Sequence, residues 1–121
     1  PNDIPTMLQA YADLDLHIGG MLHSCIFAHS VDTPCIGLAY DVKHHGFFDL
    51  FGLTEHCMSA FHFNPDVLLR TVRQILDDQT ELRTKIRRTR QDLQTVSDRF
   101  FASMAVKLAP TLSTPDSKAR P

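Results

Sequence analysis

The sequence predicts an α/β fold: a partial parallel sheet flanked by helices, followed by one long C-terminal helix. Three observations predict it. Helical and strand-like patterns alternate over residues 1–79, as βα crossover units do. Residues 35–40 form a continuous apolar run with almost no alternation, as in a strand covered on both faces. From residue 80 to about 108, Leu82, Ile86, Leu93, Val96, Phe100 and Met104 recur on one helical face.

Each element carries its own local signal. Residues 5–14 read as a short helix, with Pro5 suited to a first turn and Met7, Leu8, Tyr11 and Leu14 at helical spacing. Residues 13–18 then read as a brief strand that ends in the pair Gly19 and Gly20. Residues 22–31 make an apolar helix whose Leu22, Ile26 and Phe27 are expected to point at a core. The turn Asp32-Thr33-Pro34 stops it, because proline disfavours helix at the preceding residue. A helix over 43–51 follows the buried strand, with Gly52 closing it. Residues 57–63 suggest a weaker strand, after which Asn64, Pro65 and Asp66 start the next helix. That helix carries Val67, Leu68, Val72, Ile75 and Leu76. The expected organisation is an α/β part over 1–79, the long helix over 80–109 and a Pro-, Ser- and Thr-rich tail over 110–121, expected to be disordered. Three strands are few for a doubly wound domain, so the chain reads as the back half of one.

Composition narrows the function. A chain of 121 residues is one domain's worth, and 43% apolar residues suffice for a core. A net charge of −2 argues against a nucleic-acid binder. No apolar stretch approaches the ~18 residues of a membrane span, and no secretory signal is visible. Cys25, Cys35 and Cys57 fit neither a disulfide framework nor a zinc knuckle, so a reducing cytoplasm is expected. The chain begins at Pro1 and not at Met, which suggests a piece of a longer protein.

The chemistry concentrates after the first strand, in Ile18-Gly19-Gly20-Met21-Leu22-His23-Ser24. A strand ends, two glycines allow a close approach, and a helix begins whose first N–H groups lack internal partners. Such a place attracts phosphate or carboxylate. His23 in the first turn can move a proton or bind an oxyanion, and Ser24 adds a hydroxyl donor. The second cluster, Tyr40-Asp41-Val42-Lys43, follows the neighbouring strand, so Lys43 is expected to bring a cation to the same anion pocket.

Residues 12–53, ADLDLHIGGMLHSCIFAHSVDTPCIGLAYDVKHHGFFDLFGL, resemble the C-terminal half of the polysaccharide pyruvyl transferase family. The resemblance rests on Leu22-His23, Ile26-Phe27-Ala28, Pro34, Ile36-Gly37, Tyr40-Asp41, Lys43, Gly46-Phe47 and Gly52-Leu53, in order and spacing. It implies a Rossmann-like sheet in one lobe of a two-lobed, glycosyltransferase-B-like fold. It further implies transfer of a pyruvyl group from phosphoenolpyruvate to hydroxyls of a polysaccharide or lipid-linked sugar. His23 takes the position of the family's motif histidine, as acid/base or donor holder. Gly19, Gly20, Ser24, Tyr40 and Lys43 would line the donor-anion site, and no cofactor is implied. The family's arginine two residues earlier is Met21 here, which cannot make a bidentate contact with an anion. The implied partners beyond substrates are an N-terminal lobe, or a second copy through the apolar stripe of the long helix. Two alternatives remain: a nucleotide-sugar glycosyltransferase lobe, and a non-catalytic remnant that binds a partner through that stripe.

Other signals weigh less. His44-His45 and His56-Cys57 match no common zinc spacing, and neighbours on a helix point apart, so no metal site is expected. Lys85, Arg87, Arg88 and Arg90 are expected to form a solvated face balanced by Asp77, Asp78, Glu81 and Asp92.

Overall fold

The computed structural model describes residues 3–112, without the side chains of residue 101 and residues 106–112. The elements run α1 (Ile4–Ala12), β1 (His17–Gly19), α2 (Leu22–Ser30), β2 (Cys35–Ala39) and α3 (Val42–Leu50). A 3-10 turn (Thr54–His56), β3 (Cys57–Ser59), α4 (Pro65–Asp77) and α5 (Gln79–Leu112) follow. The fold is α/β, with a small three-stranded parallel sheet and a long C-terminal helix. The strands lie in the order β1-β2-β3, with His17 opposite Cys35, Gly19 opposite Gly37 and Ala39 opposite Ser59. All three carboxyl ends therefore share one edge. β3 is shorter than the pattern over 57–63 suggests, because the Ser59 hydroxyl accepts from the N–H groups of Phe61 and His62, both at 3.2 Å, and turns the chain.

β2 divides the core by its period of two. Cys35 belongs to a cluster with Cys25, Ala28, Phe48, Phe51, Leu53 and Ile86, while Ile36 packs with Met58 and Ile75. Thus α2 and α3 cover one face and α4 the other, as the unbroken apolar run predicts. Contact between α3 and β2 depends on Gly37: a Cβ there would lie 2.6 Å from Phe48 Cε2. The inward face of α2 is not the one expected. Cys25, Ala28 and His29 are buried, whereas Ile26 is 39% exposed. Small Cys25 and Ala28 let the helix lie close to the sheet, and that closeness outweighs burial of the larger Ile26.

Two helix ends show the same stop signal. After α3, Gly52 (φ 65°) donates to Asp49 O and Leu53 to Phe48 O, a Schellman motif. After α2, Asp32 (φ 63°) takes the place glycine usually holds, with its N–H on His29 O and that of Thr33 on Ala28 O. The Asp32 carboxylate also receives Arg87 Nε at 3.0 Å and Arg90 Nε at 2.9 Å. Arg83 donates to Leu14 O at 2.6 Å, and Lys85 Nζ to Gly52 O at 3.0 Å. The basic run is therefore not a solvated face balanced by its sequence neighbours. Three of its cations, Lys85, Arg87 and Arg90, staple α5 to loops of the α/β part, because Leu82 and Ile86 draw that stretch of helix into the core.

The chain divides into two units, one reaching Arg90 and one from Gln91 onward. In the second, Leu93, Val96, Phe100 and Met104 are exposed by 37, 63, 59 and 40%. Residues 113–121, most of the expected tail, lie outside the described residues. Among the described residues, no helix is long and apolar enough to cross a membrane.

Candidate functional site

The parallel sheet brings the strand ends Gly19, Ala39 and Ser59 to one edge, where α2 and α3 begin. The two helix starts differ. At α3, Asp41 is the N-cap: its Oδ1 accepts from Lys43 N at 2.8 Å and lies 3.3 Å from His44 Nδ1. The Lys43 amide, then His44, hold the Asp41 carboxyl below the ordinary carboxylate range. At α2 the N-cap is Met21, with extended backbone and no side-chain cap. The Ser24 hydroxyl donates to Met21 O at 2.7 Å and so caps nothing. Between the two helices, it is α2 whose first amides carry the unanswered positive end of a dipole.

The strand end beneath α2 is tight. A Cβ on Gly19 would collide with Ser24 Oγ and the His17 ring. His17 Nε2 is buried there without a hydrogen-bond partner among the described residues, and burial lowers the His17 pKa from its ordinary value. Gly20 lies under Tyr40, where a Cβ would sit 3.2 Å from Tyr40 Cε2. The Gly20 carbonyl is 3.2 Å from Nε2 of buried His44. His44 thus stands between the end of β1 and the start of α3, each ring nitrogen facing an oxygen acceptor.

Four of the expected site residues fall into two pairs. Gly19 and Ser24 pack together under the start of α2, and Gly20 meets Tyr40 where β1 and β2 end. His23 and Lys43 are both exposed, each in the first turn of its helix. Tyr40 is 62% exposed and meets Phe61 edge-on, with ring centroids 5.5 Å apart.

Three neighbours of this edge escape the sequence reading. His44 had a usable signal, the Asp-x-x-His spacing of a helix start. His17 had a weaker one, lying two residues before Gly19 and so on the same strand face. Phe61 had none, because only the sheet places it beside Tyr40. Among the described residues, no three His, Cys, Asp or Glu side chains gather to hold a metal ion.

At this edge lie the uncapped start of α2 and the exposed side chains of His23 and Lys43, with Asp41 engaged by the start of α3. No curated protein and no solved structure matches this chain. The stretch that a family model does match runs through β1, α2 and β2 to the start of α3, ending one residue before Lys43. That model is polysaccharide pyruvyl transferase, matched by residues 1–42.

Proposed function

We propose that this chain is the C-terminal, Rossmann-like lobe of a two-lobed transferase that moves a pyruvyl group from phosphoenolpyruvate to sugar hydroxyls of a surface polysaccharide. The observation that carries the reading is the uncapped start of α2 at the carboxyl edge of a parallel sheet, inside the family match. In this reading the amides after Gly20 hold the donor's phosphate or carboxylate, with Lys43 adding charge and Tyr40 and Ser24 lining the pocket. His23 exchanges protons as the enol carbon gains one, the two sugar hydroxyls that form the ketal lose theirs, and phosphate leaves with the second proton. The lobe by itself does not complete the reaction, since a cleft between lobes needs both. Three free cysteines support a cytoplasmic setting.

Met21 is the test. It stands where the family's arginine would, 69% exposed at the start of α2. Replacing Met21→Arg supplies a bidentate anion contact worth about 1.5–3 kcal/mol. Phosphoenolpyruvate titrated calorimetrically should bind the variant at least tenfold more tightly than the parent. Unchanged affinity would remove the donor site. Competition by a nucleotide-sugar would move the reading to a glycosyltransferase lobe.

Met21 also favours a second reading, a non-catalytic chain that binds a partner, a second copy or another lobe, through Leu93, Val96, Phe100 and Met104. Sedimentation of the chain and of Val96→Asp tests it. Association that the substitution abolishes, together with no phosphoenolpyruvate binding, would make this reading the better one.

A further inference from the structure

Tyr40 and Phe61 are 62% and 70% exposed, and their rings meet at 5.5 Å with an interplanar angle of 83°. They form an aromatic corner at the carboxyl edge, with Tyr40 lying over Gly20 beside the start of α2. The corner is held by backbone structure and not by chance packing. Ala60 N donates to Ala39 O at 2.9 Å, which extends the β2–β3 pairing and carries Phe61 to Tyr40. The Ser59 hydroxyl then fixes the turn beneath Phe61 through two backbone amides.

Exposed Asp41, Lys43 and His62 lie next to the rings in sequence and offer both donors and acceptors. A small apolar surface set among such groups suits a ligand with an apolar face and a rim of hydroxyls. A pyranose ring has that form: its axial C–H groups stack on an aromatic face while its hydroxyls point outward to polar partners. Two rings interleaved with charged residues are also far smaller than the roughly 800 Å² that a stable protein partner covers.

We propose that Tyr40 and Phe61 form the platform on which one pyranose unit of the acceptor glycan stacks. The assignment rests on the transferase reading above and adds to it the residues that hold the acceptor. Gly20 belongs to the same device, because a side chain there would crowd the edge of the Tyr40 ring.

Saturation-transfer NMR on the full chain, with the methyl glycosides of galactose, glucose and mannose as probes, tests the platform. At least one glycoside should bind with its ring C–H protons receiving most of the saturation. Tyr40→Ala and Phe61→Ala should each weaken that binding roughly tenfold, while Tyr40→Phe keeps it within about twofold. Phosphoenolpyruvate, titrated in parallel, should bind Phe61→Ala as it binds the parent. Glycoside binding without any phosphoenolpyruvate binding would keep the platform and sink the donor site, so the two failures are distinguishable. Absence of binding by all three glycosides, or equal binding by the alanine variants, overturns the platform. So does a dimer that Phe61→Ala dissolves in sedimentation, since a second copy would then be what covers the rings.

Discussion

His29 shows what a single residue does to this fold. It is 2% exposed, wedged among Phe47, Phe48 and Phe51 with ring centroids at 5.0, 5.8 and 4.4 Å, and neither ring nitrogen has a hydrogen-bond partner among the described residues. Burial, and next the nearby His56, push its pKa from 6.5 down to about 4. The unfolded chain takes up this proton near 6.5 and the folded chain holds it off until about 4. Between those values the unfolded state binds more protons, so stability falls as pH falls, by on the order of 3 kcal/mol across the window. Burial lowers His17 and His56 in the same direction and adds to the slope. Urea midpoints at pH 4.5 and 7.5 should differ clearly for the parent and much less for His29→Leu. An equal slope in both would place its origin elsewhere.

Asp32 is the opposite case, a polar residue that the fold uses fully. Burial pushes its carboxyl up, but hydrogen bonds from Arg90 and Arg87 and their charges outweigh this and hold it below the ordinary carboxylate range. Its contribution is therefore present above the unfolded carboxylate pKa and fades as pH falls through the folded one. Its left-handed backbone tolerates glycine better than alanine. Asp32→Ala should cost about 2 kcal/mol, against about 1 kcal/mol for Asp32→Gly. Denaturant unfolding measures both, and equal losses would rule out backbone strain as a component.

At the scale of elements, the approach of α3 to β2 and the first half of α5 matter most. Gly37→Ala puts a methyl group against the Phe48 ring in a closed core. Overpacking of this kind should cost about 1–3 kcal/mol, read as a lower melting temperature with an unchanged circular-dichroism spectrum. Helix α5 is one continuous element, yet its apolar stripe has two fates. Ile86 is fully buried, so Ile86→Ala should cost about 2–4 kcal/mol. Val96 is 63% exposed, and Val96→Ala should change stability by less than about 0.5 kcal/mol. Comparable losses at the two positions would show that the stripe beyond Arg90 is covered in solution.

For the whole molecule, the question is what acts together with the carboxyl edge. Three strands make a thin sheet, and the match to polysaccharide pyruvyl transferase spans 42 of 121 residues. If the chain works as one lobe, an immunoblot of the producing cell with an antibody to α5 should reveal a band well above 13.7 kDa. A band at that size would instead favour the partner-binding reading, and the glycoside and phosphoenolpyruvate titrations would then be expected to fail together.

Local chemistry by itself determined the order of elements and most of their limits. Asn64 and Pro65 start α4 wherever it lies, Gly52 ends α3, and the apolar run of β2 announces burial on both faces, because capping, turn geometry and burial period act within a few residues. The glycines and His23 of the carboxyl edge were legible for the same reason. Only tertiary structure decided that Cys25 and Ala28 face inward in place of Ile26, that Arg87 and Arg90 answer to Asp32, and that Phe61 meets Tyr40. Those outcomes depend on contacts between residues 21–58 positions apart in the Arg and aromatic pairs, and on how closely a helix can approach the sheet. Periodicity along a chain carries no record of such distances.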